Sequence, residues 1–564
     1  MKLHLAFCPA IVPRPPLGMA SLKGYVEAHG NHQITCFDLN LTWHQHLISQ
    51  RQEQPQLATM AEAVEFFTAA NDDYFQQVPF NQHASRFYLT AMAAHEALVK
   101  GAEGWLQGQP HPAWMTTMAH TLLAGNPQAV GFSVCYASQV AFSLALARLV
   151  KSLAPKVVIL FGGSLTTTDA HLDPFLDHGD YVVINEGEKP LLALLNALQA
   201  EEDPQFLPGV VCRRQGAVSK NGSENGIRLD AQPMPDFSDL DINGYFTPTP
   251  VIPILTSRGC FWRRCSFCVH HEIYSDAYRV APIARVVDEM AAWVERGVYC
   301  FSIADEMLPA KRYLLIAKEI LRRGLKIYWF GLARPSHHFN QETMNTLYAA
   351  GCRFLLWGVE SGCQRILDLI DKGTTKESIA ATLNYSATAG IKNYIFMIVG
   401  FPSETSQEYL ETLSFLYALR ESIHNVMSGP FKLEPNSKIA ADPQRFAIDR
   451  HWPDEKEAGN LHYSVVSGLP PAHLKGLHEL VKTHFYNSFS LFSTWFGLLR
   501  EHALYYHANP RQQPTFYWKW RIADPLDTNW QASIGLEKYL QDVGPHPATH
   551  LQAGVATPEG VVGG

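Results

Sequence analysis

The strongest constraint on the fold is an alternation that begins near position 251. Six short runs rich in β-branched and aromatic residues, VIPILTS, YCFSIAD, KIYWFGLA, RFLLWGVE, NYIFMIVG and VMSGPFKLE, are separated by stretches of helical period. Strands joined through helices pair in parallel, and the helices cover the sheet. Six such steps predict a partial or complete βα barrel, with reactive groups gathered at the carboxyl ends of its strands.

A second alternation occupies the first part of the chain. It runs through LHLAFCPA, MASLKGYVEAHG and QITCFDLN, then resumes at AVGFSVCY, KVVILFGGS and DYVVINEGE, with the helix KPLLALLNALQ behind it. This reads as a doubly wound α/β domain over residues 1–202, with a helical insertion at about 42–125. Residues 203–250, rich in Pro, Gly, Asp, Asn and Ser, read as a linker with a possible hairpin at GVVCRRQGAVS. The barrel is expected at 251–450 and a mostly helical, aromatic region at 451–564, its last residues, GVATPEGVVGG, disordered. In that region Trp495, Tyr505, Tyr506, Tyr517, Trp518 and Trp520 either close one end of the barrel and touch substrate or pack in a core.

With 564 residues, several domains are expected, and 47% apolar against 17% charged residues suffices for sizeable cores. A net charge of −8 exerts no general pull on nucleic acid or anionic lipid, so neither is expected as a partner. The ten cysteines are too sparse for a disulfide framework, which points to a reducing, cytoplasmic setting. The N-terminus lacks the order of a signal peptide, and no apolar run reaches the length of a membrane span. The nearest, FYNSFSLFSTWFGLL, is broken by Asn487 and serines and reads as a buried or substrate-facing helix.

Only one group of cysteines is clustered. RGCFWRRCSFC places Cys260, Cys265 and Cys268 on the loop after the first barrel strand. Close thiolates bind zinc or an iron–sulfur cluster. With His270 the trio could complete a four-ligand structural zinc site. Alternatively, three cysteines hold a cubane with one iron left open. His270, His271, His337 and His338 face the predicted cavity, where histidine suits either proton transfer or packing. Cys300, Cys352 and Cys363 read as buried apolar residues.

The segment TSRGCFWRRCSFC resembles the cluster loop of the radical S-adenosylmethionine (SAM) enzymes, although its first gap has four residues where the family usually has three. The resemblance implies a [4Fe-4S] cluster on Cys260, Cys265 and Cys268, with SAM on the open iron. GVESGCQRILDLIDKGTT resembles the family's fourth-strand segment and implies Glu360 near SAM. IFMIVGFPSET resembles the fifth-strand segment near adenine, which includes Gly400. Asp305 and Glu306, ending the second strand, and Arg334, after the third, are further implied SAM contacts.

The front domain resembles the cobalamin-binding module fused to a subclass of these enzymes, through PPLGMASLKGYVEAHG, AVGFSV, VVILFGGS and DYVVINEGEKPLL. That implies cobalamin contacts at Leu17, Gly18, Ser133, Gly162, Gly163, Ser164 and Gly187. The domain has no DxHxxG segment, so no protein histidine is implied beneath cobalt. A plain dinucleotide-binding reading fails for want of GxGxxG after the first strand.

Together the resemblances imply a cobalamin-dependent radical SAM enzyme that methylates an unactivated carbon of a peptide or small molecule, using a 5'-deoxyadenosyl radical and methylcobalamin. A flavodoxin- or ferredoxin-type reductant is implied as partner, and no catalytic side chain is assigned. A radical oxidation, cyclisation or rearrangement without methyl transfer is the alternative. From another class, the chain would be a zinc-stabilised binding protein. A methylthiotransferase is disfavoured, because neither a second upstream cysteine trio nor a small β-barrel tail is evident.

Overall fold

A computed structural model describes residues 1–167, 172–222, 226–270, 278–457, 460–489, 499–509 and 522–542. The first sheet contains the parallel strands β1 (Lys2–Phe7), β2 (Gln33–Asp38), β3 (Ala129–Ser133), β4 (Val158–Gly162) and β5 (Tyr181–Val183) in the order β2-β1-β3-β4-β5. Antiparallel β6 (Val210–Arg214) and β7 (Ala217–Lys220) extend it beyond β5. Helices α1 (Leu17–His29), α6 (Val140–Leu153) and α8 (Glu188–Gln199) cover its faces. Between β1 and β3 the strand order reverses, so the loops behind them diverge and leave a crevice at their carboxyl ends, where doubly wound sheets bind ligands.

The hairpin GVVCRRQGAVS, read from sequence as part of the linker, is β6–β7 and belongs to this first sheet. A hairpin's turn signal fixes its own pairing but not the sheet it joins. The connecting segment proper follows it and is pinned rather than loose. Asp236 N donates to Ala20 O, Lys23 Nζ meets Asp239 at 2.6 Å, and Phe237 packs edge-on against Trp293. Met234 O passes so close to Gly24 that a Cβ there would sit 2.4 Å from it, so only glycine lets the segment cross α1.

The second sheet comprises β8 (Val251–Ile254), β11 (Cys300–Ile303), β12 (Tyr328–Ala333), β13 (Cys352–Glu360), β14 (Lys392–Val399) and β15 (Asn425–Pro430), numbered to leave β9 (Ser257–Arg258) and β10 (Arg279–Val280) for a short antiparallel pair beside it. The six strands are parallel and lie in sequence order, with β8 and β15 as open edges, so the barrel is partial. Both faces are apolar. Ile252, Phe301, Trp329, Leu355 and Ile395 pack in the cluster shared with the surrounding helices, while Val251, Cys300, Phe330, Phe354 and Tyr394 form the inner face.

What fills that inner face is the insertion of the front domain. Its helices α3 (Pro55–Ala69) and α4 (Gln77–Leu106) contribute Phe67, Phe80 and Phe87, and the helix Arg500–Ala508 contributes Leu504 and Tyr506. Tyr394 Oη lies 2.9 Å from His507 Nε2, and Tyr74 Oη 3.1 Å from His502 Nδ1. Two distant stretches of chain, the insertion and the helix Arg500–Ala508, thus stopper the lower lumen with rings. The region after the barrel was expected to be mostly helical, and it opens instead on an antiparallel hairpin, β16 (Ile448–Glu457) and β17 (Asn460–Val465), before its helices. The charged, Pro-containing DRHWPDEKE reads poorly as a strand because strand propensity weighs against such residues. Trp495, Tyr517, Trp518, Trp520, most of the FYNSFSLFSTWFGLL segment and the C-terminal tail lie outside the described residues.

A cofactor site between the two sheets

The cysteine loop is fastened at its start and along its length. Before it, Asp305 accepts hydrogen bonds from Thr256 N at 2.9 Å, Thr256 Oγ1 at 3.0 Å and Ser257 Oγ. Burial nonetheless raises the Asp305 carboxyl to about 6, against those bonds. Asp305 therefore orders the residues leading into the loop, and its oxygens point into that network. Within it, Ser266 N and Oγ donate to Ile370 O and Leu369 O, Trp262 Nε1 to Asp371 O, and Arg264 pairs with Asp371 at 2.9 Å. The extra residue of the first gap is absorbed by a left-handed turn, with φ of +53° at Arg263 following +78° at Gly259. Trp262 then lies flat beneath the Arg334 guanidinium, 3.8 Å from it.

Cys260, Cys265 and Cys268 are half-buried on this loop. Burial raises the Cys265 thiol, opposed by the nearby Lys372 ammonium, and pushes Cys268 up to about 12. Among the described residues, no three His, Cys, Asp or Glu side chains are drawn together closely enough for a single metal ion, and the His270 ring faces Glu306 at 3.2 Å. Three half-buried thiols on one loop, with the Lys372 ammonium and the Arg334 guanidinium beside them, suit a thiolate-bound cluster. His271 lies outside the described residues, and His337 and His338 are exposed, ring against ring at 3.9 Å. Cys300, Cys352 and Cys363 are buried.

Glu360 ends β13 where the register against β14 slips between Gly358 and Glu360, and its φ is +67°. A non-glycine residue held there is strained, and such strain gathers at functional sites. Its carboxylate meets Lys372 Nζ at 2.8 Å, with both side chains buried. Burial alone would lower the lysine, but Glu360 and the cysteines beside it raise it instead. Arg334 donates to Lys372 O at 2.6 Å and Gly373 O at 3.2 Å, drawing the same turn toward the cysteine loop. Glu360, Lys372 and Arg334 therefore surround the thiols on one side. Lys372 was not singled out from sequence; the signal available was a lone lysine inside the apolar run LDLIDKG.

Gly400 closes β14 with φ of +70° and donates its N–H to Glu404 Oε2 at 2.8 Å. Burial pushes the Glu404 carboxyl up to about 8. The folded chain thus holds a proton that the unfolded chain releases above the ordinary glutamate range, so stability falls as pH rises from about 4.5 toward 8. Glu404→Gln is expected to abolish that slope, its urea midpoint gaining on the parent's as pH is raised across this range. A gap that stays constant with pH would contradict the assignment.

The front crevice lies over the other sheet. Leu17, Gly18, Ser133, Gly162, Gly163, Ser164 and Gly187 line one cavity of about 300 Å³, together with Asn185, Glu186 and Glu188. A second cavity of about 430 Å³ shares Leu17, Gly18, Ser133 and Cys135 with it, so the two run together across the β1/β3 switch point. The wall is made of glycine and small polar residues. At Gly18 an added Cβ would meet nothing within 4 Å, and at Gly163, with φ of +117°, it would strike Val134 O. This broad, backbone-lined cleft fits a bulky corrinoid, and none of the described residues lining either cavity is a histidine. Leu255, Arg258 and Ala304, at the carboxyl ends of β8 and β11, form the opposite wall of the first cavity.

Comparison with known proteins agrees with this geometry. The Radical SAM superfamily matches residues 254–416, and the B12 binding domain residues 108–195. An uncharacterized methyltransferase of Pyrococcus horikoshii is 26% identical over 337 residues, 58% of this chain and 71% of that protein. An anaerobic magnesium-protoporphyrin IX monomethyl ester cyclase of Rubrivivax gelatinosus is 27% identical over 281 residues, 47% of this chain, which spans 50% of the cyclase. In three dimensions the chain is similar to the radical SAM methyltransferase TsrM of Kitasatospora setae, solved with cobalamin and a [4Fe-4S] cluster. The TM-score is 0.59 at 17% identity, over 96% of this chain and 99% of that one. The chain thus carries a B12 binding domain and a radical SAM domain in tandem, which imply a [4Fe-4S] cluster, SAM and cobalamin as its cofactors.

Proposed function

We propose that the enzyme methylates an unactivated carbon of a small molecule or peptide. The observation that carries this reading is the shared cavity: Leu255, Arg258 and Ala304 of the barrel and Gly162, Gly163 and Ser164 of the front domain wall one space. Both cofactors would therefore address the same substrate. When bound, the cluster and SAM supply a hydrogen-abstracting radical, and the corrinoid supplies the methyl group.

The chain's own part is to bind, orient and exclude water. Cys260, Cys265 and Cys268 hold the cluster. Glu360, paired with Lys372, offers an acceptor for the SAM ammonium, and Gly400, with Leu474 packed where a side chain would stand, turns the backbone at the end of β14 toward adenine. Arg334 stiffens the loop through Trp262, while Asp305, with Glu306 beside it, orders the strand end below the cluster. Gly18, Gly187 and the Gly162–Gly163 pair admit the corrinoid, with Leu17, Ser133 and Ser164 as its rim. The chain regions are accordingly a front corrinoid-binding unit, a pinned connector, a SAM barrel and a closing C-terminal region. Electrons would come from a flavodoxin- or ferredoxin-type protein. The sparse cysteines suit a reducing, cytoplasmic setting, and no helix among the described residues is long and apolar enough to cross a membrane.

The similarity to a cyclase favours a second reading, radical oxidation or cyclisation without methyl transfer. Anaerobic turnover with candidate substrates separates the two. Methylation yields 5'-deoxyadenosine together with S-adenosylhomocysteine and a methylated product, whereas the second reading yields no S-adenosylhomocysteine. Gly18→Leu, which places a side chain in open cleft space, is expected to weaken cobalamin binding by at least about tenfold, roughly 1.4 kcal/mol, in an absorbance titration. Unchanged affinity would argue against this cleft as the corrinoid site.

A further inference from the structure

One buried ion-pair network joins the two cofactor sites. Arg258 immediately precedes Gly259 and Cys260, and its side chain is 7% exposed. Its guanidinium reaches Glu186 Oε2 at 2.6 Å, Glu188 Oε2 at 3.0 Å, and Glu188 Oε1. Glu186 is also held by Arg279, which pairs with Arg258 through the β9–β10 bridge. Glu186 and Glu188 flank Gly187 on the loop after β5, where Asn185 adopts φ of +58°, and all four residues line the corrinoid cavity along with Arg258 itself.

A planar guanidinium bound to two carboxylates transmits position better than an ammonium would, because its donors form a rigid fork. With little water around it, the network moves as a unit: a displacement of residues 185–188 is felt at Arg258, and through one glycine at Cys260. Nothing in cluster binding itself calls for a contact with the front domain, and a corrinoid cleft does not call for an arginine from the barrel.

We propose that Arg258, clamped by Glu186 and Glu188, is a positioning residue that couples the two sites, so that filling the corrinoid cleft sets the cluster loop and a loaded cluster loop tightens the cleft. This rests on the proposed use of both cofactors in one cavity. Linkage requires the coupling to be reciprocal, and couplings of this kind run from about fivefold upward.

The test is a titration of the full-length chain with hydroxocobalamin, before and after anaerobic reconstitution of the cluster. The loaded chain should bind about tenfold more tightly, and cobalamin should alter the electron paramagnetic resonance spectrum of the reduced cluster. Glu186→Gln, whatever its absolute affinity for cobalamin, should show one affinity in both states and an unshifted spectrum. Arg258→Lys, which keeps the charge and loses the fork, should show less than half of the parental difference on a logarithmic scale. It also serves if the glutamine variant proves misfolded by circular dichroism. Equal affinities in the parent, or a full difference retained in the folded variants, would overturn the coupling while leaving the function intact. Failure of every form to bind cobalamin would overturn both.

Discussion

Cys265→Ala is expected to yield a folded, colourless protein that makes no detectable 5'-deoxyadenosine. Two thiols remain, too few to hold a cubane against loss, so iron and sulfide in the reconstituted protein should fall to background. The activity loss should exceed the roughly 100-fold that disturbing an outer-sphere partner costs a metal site, because a ligand itself is gone. The fold should persist, since the loop is tied down by neighbours of Cys265 rather than by its sulfur: Ser266 to Ile370 and Leu369, Trp262 to Asp371, Arg264 to Asp371. Far-UV circular dichroism and urea unfolding check the second half of the expectation. A structural zinc site behaves in the opposite way, because its metal contributes folding energy directly. Unfolding of the variant, with zinc in the parent, would end the cluster assignment.

The second large effect concerns Glu360 and Lys372. Removing one partner of a buried pair strands the other charge, at a typical cost of about 3–5 kcal/mol. Glu360→Ala should therefore lower the barrel's resistance to urea by about that amount, reported as a domain-level midpoint because a chain of several domains does not unfold in one step. Lys372 is raised above the usual lysine range, so the pair's contribution is fully present at neutral pH and is lost only on passing into strongly alkaline solution. The deficit should thus be equal in mildly acidic and mildly basic buffers. Replacing both residues by apolar ones, Glu360→Leu with Lys372→Met, should restore most of the stability but none of the 5'-deoxyadenosine yield. If the double variant regains activity, Glu360 is there for packing alone.

Much of this was legible in the sequence, and for identifiable reasons. The six barrel strands stood out because both faces of a covered parallel sheet are apolar, so Trp329 with Leu355 and Phe330 with Phe354 read as continuous hydrophobic runs. Cys260, Cys265 and Cys268 stood out by spacing, and Leu17, Gly18, Ser133, Gly162, Gly163, Ser164 and Gly187, named through a family resemblance, line one cleft. Relations between distant segments were not visible. The ammonium facing Glu360 comes from a turn twelve residues later, and Glu360 itself follows a register slip of β13 between Gly358 and Glu360. The carboxylates clamping Arg258 lie some seventy residues upstream, in another domain. Likewise the insertion announced itself as helical, but no periodicity says that Phe67, Phe80 and Phe87 end in one cluster with Phe354.

The aromatic stopper built from that insertion has a kinetic corollary. Among the described residues, rings from two distant chain regions pack on the inner face of the barrel strands, and the crevice between the two sheets is walled by both domains. Molecules that share one crevice must queue. With the cofactors and the molecule to be altered all entering there, the last in must be first out, and steady-state analysis should return an ordered rather than a random sequence of arrivals.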